Sequence, residues 1–417
     1  MRSSEFRHLT KVEDALRLFL DAVGTVREVE WVKTQDSLGR VLDRRIVARK
    51  YLPANDIAVV DGFAVRSADL HHASSRQPIS LRTVGKNTLG ELSRNKVGKG
   101  ETVAVATGSI IPAGGNAVVM MEDTRALSGS RVEFRGPIQP RQGITAKGED
   151  LRPGMVALDR GSRIRPEDIG VLKALGFTKV PVVRRLRVAV LSTGNELVGS
   201  LRRNTSGKIV DLNRPILKGM LRQLDAVPLD LGIVDDNEET IRAALKAGLA
   251  TADLVLVTAG SSVGEKDLVP NCINDLGKPG MIIHGIAMRP AMPTGLALVH
   301  GKPIVSLPGF PVSAMMAFRV FVRPLLAKLV GAPELTEPTI KAVLTESISG
   351  TLGSRTFVRV RVKRVREAYL AVPLAGQRSS ILTSMVNSNG IVTLPESVAR
   401  IEAGAEVSVT LTGDLAS

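Results

Sequence analysis

Three short glycine-containing turns carry the residue types that grip anions: LSTGNEL (191–197), VTAGSSVGEKD (257–267) and SLPGFPVSA (306–314). Glycine lets a backbone approach a ligand closely, and Ser192, Thr193, Ser261, Ser262 and Ser313 add hydroxyl donors. A single turn of this kind is ordinarily a tight connection; three in one segment are more specific. Carboxylates keep them company. Glu196 follows the first turn, Asp235 and Asp236 stand in GIVDDNEE, and Glu265 and Asp267 follow AGSSVG. Hard oxygen donors beside a phosphate site suit Mg2+, which bridges carboxylate and phosphate oxygens. Helix N-capping is the competing reading, above all for Asp236, which stands just before NEETIRAAL. No GxxxxGK[ST] sequence occurs, which disfavours a P-loop nucleotidase. HExxH and CxxC are missing too, which argues against a soft-ligand zinc site.

These turns need a scaffold, and residues 186–332 supply its pattern. The runs RVAVLS, VPLDLGIV, DLVLVT, MIIHGIAM and PIVSLP read as strands; the first and third are almost continuously apolar, as central parallel strands are. Helices are expected near 213–224, 237–250, 266–276 and 312–330. Strand and helix in alternation predict a doubly wound α/β domain, with ligands outside the carboxyl ends of the strands. Residues 48–144 differ: short apolar runs such as ETVAVAT and NAVVMME are broken by Gly, Pro and Asn, the texture of a β-rich insert. Helical patterning brackets this insert. Thr10 and Glu13 have capping-box spacing ahead of a helix over 10–24, a short helix is expected over Ser37–Leu42, and RPEDIGVLKALG (165–176) opens on Pro166 and stops at Gly176. Residues 333–417 return to strands (TIKAVLTE, TFVRVRVKRV, AYLAVPL, GIVTLPE, AEVSVTL) and predict a small β-barrel or sandwich. The expected architecture is therefore α/β and β multidomain: 1–47 with 145–185 as an elongated helical linker domain, 48–144 as the insert, 186–332 as the α/β domain and 333–417 as the barrel.

Bulk properties narrow the function class. The 417 residues are 44% hydrophobic and 23% charged, enough to bury several cores. Lys and Arg number 56 against 41 Asp and Glu, a net charge of +15 that attracts anions at long range. Only 3% of residues are aromatic and the cations are spread over the chain, so nucleic acid is disfavoured as a partner. One cysteine, Cys272, permits no internal disulfide and reads as a structural thiol in a reducing, cytoplasmic setting. The N-terminal MRSSEFRHLT lacks the apolar core of a signal peptide. The longest apolar stretch, 312–331, holds Arg319, Arg323, Pro324 and Lys328, so it reads as a buried helix and not a membrane span.

Taken as a set, VVDGFAV, ATGSIIPAGGNAVVMMED, KGEDL, LSTGNEL, GKIVDLN, VTAGSSVGEKD, LPGFPVSAMMAF and RSSILTSMVNSNGIVTLPE resemble one family in its order, over about 50–410. That family is molybdopterin molybdenumtransferase, the MoeA/gephyrin E-domain group. The resemblance implies a homodimer with each active site between the α/β domain of one chain and the β-rich insert of the other. It implies insertion of molybdenum or tungsten into adenylylated molybdopterin with Mg2+ and release of AMP. It also implies transient contact with the adenylyltransferase and with acceptor molybdoenzymes. Carried over by motif position, Glu196, Asp236 and Asp267 would surround metal and phosphates. Asp61, Thr107 and Asp150 would join Asp267 in positioning the substrate. The turns at Gly194, Gly260, Ser261, Ser262, Gly264, Pro308 and Gly309 would hold the pterin nucleotide, and Arg289, Ser313, Arg359 and Ser379 would lie near the oxyanion. Without the resemblance, the DG pair at Asp61 and the TG pair at Thr107 read only as turns, and ITAKGED (144–150) as a solvated loop.

Two positions depart from the family pattern. Its usual KPGKP-like segment, with two lysines facing the oxyanion, is IAMRPAMP here (286–293), so Arg289 keeps one charge and Met292 cannot donate a hydrogen bond. Phe310 stands where asparagine is usual. Molybdate and tungstate both stay open as substrates. An adenylyltransferase-type activity and a non-catalytic pterin- or oxyanion-binding role are the alternatives.

Overall fold

A computed structural model of the chain describes residues 9–92, 94–200, 207–259 and 268–415. At its centre lies a six-stranded sheet in the order Val227–Val234, Arg187–Thr193, Leu254–Ala259, Lys302–Pro308, Gly295–Val299, Pro279–His284. The first four strands are parallel; Gly295–Val299 runs against them and pairs antiparallel with both its neighbours. Arg187–Thr193 is buried from Val188 to Thr193, as a strand covered by helices on both faces must be. One apolar core fills one face of the sheet with Leu217, Leu221, Phe318, Phe321 and Leu325; a second fills the other with Ile241, Leu245, Cys272 and Ile273. Chain order across the parallel strands reverses between Arg187–Thr193 and Leu254–Ala259. A crevice opens beyond the strand ends at such a switch point. The helices Asn213–Gln223, Glu238–Thr251 and Leu268–Leu276 match the expected ones. The expected 312–330 helix is an α-turn pair, Pro311–Ala317 and Arg323–Val330, joined by a π-helical turn Phe318–Val322.

Four local expectations are corrected. Ser37–Leu42 is not helical: one 3-10 turn, Thr34–Asp36, ends at Ser37, and Gly39 at φ +74° turns the chain so that Val41 and Leu42 bridge to Arg163 and Val182. Thr10 does not cap the first helix, Val12–Ala22, because its backbone bridges Ile286; Glu13 instead pairs with Arg355. MIIHGIAM is not one strand. It stops at His284, Gly285 turns at φ +92°, and Met288–Arg289 joins the barrel strand Arg355–Val365. GLALV, Gly295–Val299, is a sheet strand that the sequence reading passed over.

The insert forms a mixed six-stranded sheet ordered Ala117–Met120, Gly62–Val65, Glu101–Val105, Ile79–Asn87, Arg131–Phe134, Thr124–Leu127. Gly62 opens a strand there instead of a turn. A Cβ on Gly62 would lie 1.9 Å from the Val119 carbonyl oxygen, so only glycine permits this backbone contact. The chain segments flanking the insert are tied by two-stranded pairings, Val29–Lys33 with Lys179–Val183 and Ile46–Val47 with Val156–Leu158. Helix Pro166–Ala174 packs Leu172 into their core with Leu42, Ile164 and Val180. In the tail, Arg355–Val365, Ala368–Pro373, Thr339–Leu344, Glu406–Leu411 and Gly390–Leu394 pair in turn and close on each other as a five-stranded barrel. Val358, Val360, Val362 and Val409 fill it.

Candidate functional site

Two pockets lie side by side between the α/β domain and the barrel. The first, about 380 Å3, sits at the switch point and is lined by Thr193, Glu196, Asp211, Asn213, Thr258, Gly309 and Phe310 among others. Its floor is rigid: Ser192 and Thr258 share a hydroxyl hydrogen bond of 2.8 Å between adjacent strands. Asn213, at the start of its helix, donates from Nδ2 to the Gly309 carbonyl at 2.8 Å. That bond fixes the amide. Among the described residues its Oδ1 has no hydrogen-bond partner, although the residue is only 7% exposed. An enclosed acceptor in a pocket wall calls for an N–H or O–H donor from a ligand.

Gly194 and Glu196 sit on one tight turn. Gly194 has φ +155°, and a Cβ there would meet both carboxylate oxygens of Glu196 at 2.9 Å. Glycine therefore makes room for the Glu196 carboxylate to fold back over the turn. Asp236 follows the neighbouring strand, and its N–H donates to Asn195 Oδ1 at 3.0 Å, which ties the two turns together. Asp236 does not cap the next helix. Asn237 does, accepting from the Thr240 N–H at 2.9 Å. Glu196 lines the pocket, and Asp236, which does not line it, is a second hard oxygen donor on the turn tied to it through Asn195. That fits Mg2+, which takes one or two carboxylates and fills its remaining positions with phosphate and water. The other residues called for this rim, Gly260, Ser261, Ser262, Gly264 and Asp267, lie outside the described residues. Among the described residues no three His, Cys, Asp or Glu form a metal cluster.

The second pocket, about 740 Å3, is lined by Arg289, Met292, Pro308, Phe310, Ser313, Gln377 and Ser379 among others. It thus takes in Arg289, Pro308, Ser313 and Ser379 of the residues expected near an oxyanion. Arg289 is exposed and paired in register with Thr356 of the long barrel strand. Arg359, three residues further along that strand, does not line the pocket but is sealed behind its wall. Its side chain is fully buried, and Nη2 donates to the Gly376 carbonyl at 3.2 Å. Its Nε and Nη1 have no hydrogen-bond partner. Burial pulls its pKa down from the ordinary arginine value.

Asp61 and Thr107 are brought together in the insert. Asp61 Oδ1 accepts from the Thr107 N–H at 2.7 Å and from its hydroxyl at 3.0 Å, and those bonds hold the carboxyl below its usual pKa. Asp150 is exposed, with its N–H on the Leu52 carbonyl at 3.1 Å, and nothing ties its carboxylate to Asp61. Neither pocket is lined by any residue of the insert. Cys272 is buried, its thiol pushed up by burial, in keeping with a structural role. No helix among the described residues is long and apolar enough to cross a membrane.

Comparison with known proteins bears on this arrangement. Residues 10–176 match the MoeA N-terminal region (domain I and II), 189–328 a probable molybdopterin binding domain, and 341–412 the MoeA C-terminal region (domain IV). A molybdopterin molybdenumtransferase of Bacillus subtilis is 32% identical over 387 residues, 92% of this chain and 90% of that one. The chain belongs to the MoeA family. A Haemophilus influenzae molybdopterin molybdenumtransferase is 30% identical over 95% of this chain and 97% of its own length. The crystal structure of the molybdopterin biosynthesis MoeA protein from Pyrococcus horikoshii superposes with a TM-score of 0.85 at 32% identity, covering 97% of this chain and 100% of that one. The multidomain α/β and β architecture read from the sequence is the MoeA architecture. Sequence reasoning quoted Asn213 only inside GKIVDLN and gave it no role; its position directly after a short strand and at a helix start was the available signal.

Proposed function

We propose that this chain inserts molybdenum, or tungsten, into adenylylated molybdopterin and releases AMP. One observation carries the reading: two hollows of different chemistry abut. The switch-point pocket has the acidic rim and buried amide acceptor suited to a nucleotide-linked pterin. Its neighbour has Arg289, the hydroxyls of Ser313 and Ser379, and behind its wall an arginine lacking an anion. A reaction that joins an oxyanion to a pterin side chain needs both within reach of one substrate.

Thr193, Asn213 and Thr258 would bind the pterin nucleotide, and Gly309 would let it approach the backbone. Mg2+ held by Glu196, Asp236 and Asp267 would offset the phosphoanhydride charge as AMP leaves. Arg289, Ser313 and Ser379 would orient the tetrahedral oxyanion toward the dithiolene sulfurs, with Arg359 adding positive charge from below. Asp61, an acceptor held by the Thr107 N–H and hydroxyl, lies with Thr107 outside both pockets, so they would act on the site of a second copy in a homodimer, with Asp150 joining them. A cytoplasmic location and hand-over to acceptor molybdoenzymes complete the proposal.

AMP release from adenylylated molybdopterin, measured with and without molybdate, tests it. Release that rises on adding molybdate and collapses in Asp236→Ala is the expected result. Pyrophosphate release from ATP would instead support adenylyltransferase-type chemistry, and AMP release unchanged in Asp236→Ala would remove the catalytic assignment. Names of relatives favour insertion over adenylylation.

A further inference from the structure

Phenylalanine normally goes inside. Phe19, Phe134, Phe318 and Phe321 are fully buried here. Phe310 is 46% exposed, and it alone among the described phenylalanines counts as an exposed large apolar side chain. It is also the single residue that lines both pockets. Its backbone is pinned from both sides: the preceding Gly309 carbonyl accepts from Asn213 Nδ2 at 2.8 Å, and its own carbonyl accepts from the Ala314 N–H at 3.0 Å. Opposite it the barrel contributes Ser379 to one pocket and Ser380 to the other, and the Ser379 carbonyl accepts from the Val312 N–H at 3.3 Å. Phe310 therefore marks the divide between the hollows, with Ser379 and Ser380 contributed to them from the barrel.

An exposed ring on a fixed backbone, between two hollows whose walls are more apolar than polar, contributes little to the core. It offers a flat face of a kind that planar heterocycles stack on. We infer that Phe310 is the stacking surface for the pterin ring, holding it across the divide so that its side chain reaches the oxyanion pocket. This inference rests on the pterin reading of the proposed function. It assigns Phe310 an apolar flat face that the adjoining serine hydroxyls do not offer. Molybdate, a small tetrahedral anion, has no face to stack and should be indifferent to the ring.

Three versions of the full-length chain decide the matter: wild type, Phe310→Leu, which keeps apolar bulk without a ring, and Phe310→Trp, which enlarges the ring. A synthetic fluorescent pterin phosphate reports binding by quenching, calorimetry reports molybdate alone, and AMP release from adenylylated molybdopterin gives KM and kcat. Phe310→Leu should weaken pterin phosphate about tenfold or more. It should raise KM for the pterin nucleotide by a similar factor and leave molybdate affinity within about twofold. Phe310→Trp should bind pterin phosphate at least as well as wild type. Equal pterin affinity in wild type and Phe310→Leu overturns the inference, and so does a loss shared equally by molybdate. A wild type that releases AMP on adding molybdate while Phe310→Leu keeps its KM refutes stacking alone. A wild type that neither binds pterin phosphate nor releases AMP refutes the pterin reading, and this inference with it.

Discussion

Replacing Arg359 by Met should make the ligand-free protein more stable and at the same time weaken its hold on oxyanions. The strand Arg355–Val365 turns Val358, Val360 and Val362 into the barrel, so Arg359 points the other way, where the segment 374–377 covers it. Gln377 clamps it, its Oε1 accepting from the Arg359 N–H at 3.1 Å and its Nε2 donating to the Arg359 carbonyl at 2.8 Å. The guanidinium makes one hydrogen bond, to the Gly376 carbonyl, and leaves Nε and Nη1 unmet. Each unmet buried donor costs about 1–3 kcal/mol, and the one bond to a charged donor returns about 1.5–3 kcal/mol. Methionine fills a similar length with no donors at all, so the balance favours the variant by roughly 1–3 kcal/mol. For a domain of the barrel's size that is a rise of about 4–8 °C in unfolding midpoint per kcal/mol. Molybdate narrows the gap. At 100 times its dissociation constant a ligand of the folded state adds about 2.7 kcal/mol to wild type, and the Met variant, which keeps Arg289, Ser313 and Ser379 but loses the charge behind the wall, should gain less. Thermal unfolding with and without molybdate measures both. A Met variant that melts below wild type without oxyanion, or that gains as much from molybdate as wild type does, refutes the reasoning.

Two further outcomes follow from local geometry. Gly194→Ala forces a Cβ against the Glu196 carboxylate and a φ of +155° that alanine resists, so the folded-back turn should open. Mg2+ dependence of AMP release should shift to higher concentration, about tenfold or more, while pterin phosphate affinity measured without metal stays close to wild type; an unchanged Mg2+ midpoint would show that Glu196 plays no part. Asp230 carries the pH prediction. Burial pushes its carboxyl up, but hydrogen bonds from Lys218, the Gly232 N–H and Arg214 prevail and hold it at about 2. A depressed carboxylate contributes stability above its unfolded pKa, lost as pH falls through the folded value. Wild type should therefore lose ~1 kcal/mol, after solvent screening, between pH near 4 and pH near 2 through this group. Urea unfolding of Asp230→Asn should lack that increment, and an acid slope identical to wild type would contradict the assignment.

Much of the fold could be read from local pattern because the pattern was strong. Continuous apolar runs marked the central strands, and five alternating runs marked the barrel strands that close on themselves. Expectation failed where a tertiary contact overrode a local signal. Thr10 had capping-box spacing, yet its backbone was claimed by Ile286. Asp61–Gly62 had the composition of a turn, yet close packing of Gly62 against Val119 made it the start of a strand. Asp236 had the place of a cap, and Asn237 took it. The site was legible as a set of turns but not as two pockets. Their divide depends on the barrel segment at Ser379 and Ser380 docking beside Phe310, a contact about 70 residues away in sequence that no periodicity encodes.

Unsatisfied polar atoms separate the parts of this protein shaped for stability from those shaped for ligands. Arg355 and Glu396 each have a buried atom without a hydrogen bond, but the two residues form an ion pair with each other. Arg242 has one as well, beside Asp275. Asn213 Oδ1 and the Arg359 guanidinium are different. Both residues are more than nine-tenths buried, and among the described residues each has only one side-chain hydrogen bond and neither has an ion pair. They come from separate domains, a helix start beside the switch point and the outer face of a barrel strand; Asn213 lines one of the two adjoining hollows and Arg359 lies behind the wall of the other. Folding alone would replace such groups with apolar ones or supply partners. An acceptor left open on one side and a cation left open on the other match a substrate that brings N–H donors with its ring and a second substrate that brings negative oxygens. The unmet donors and acceptor thus specify the substrates' chemistry more closely than either pocket's volume does.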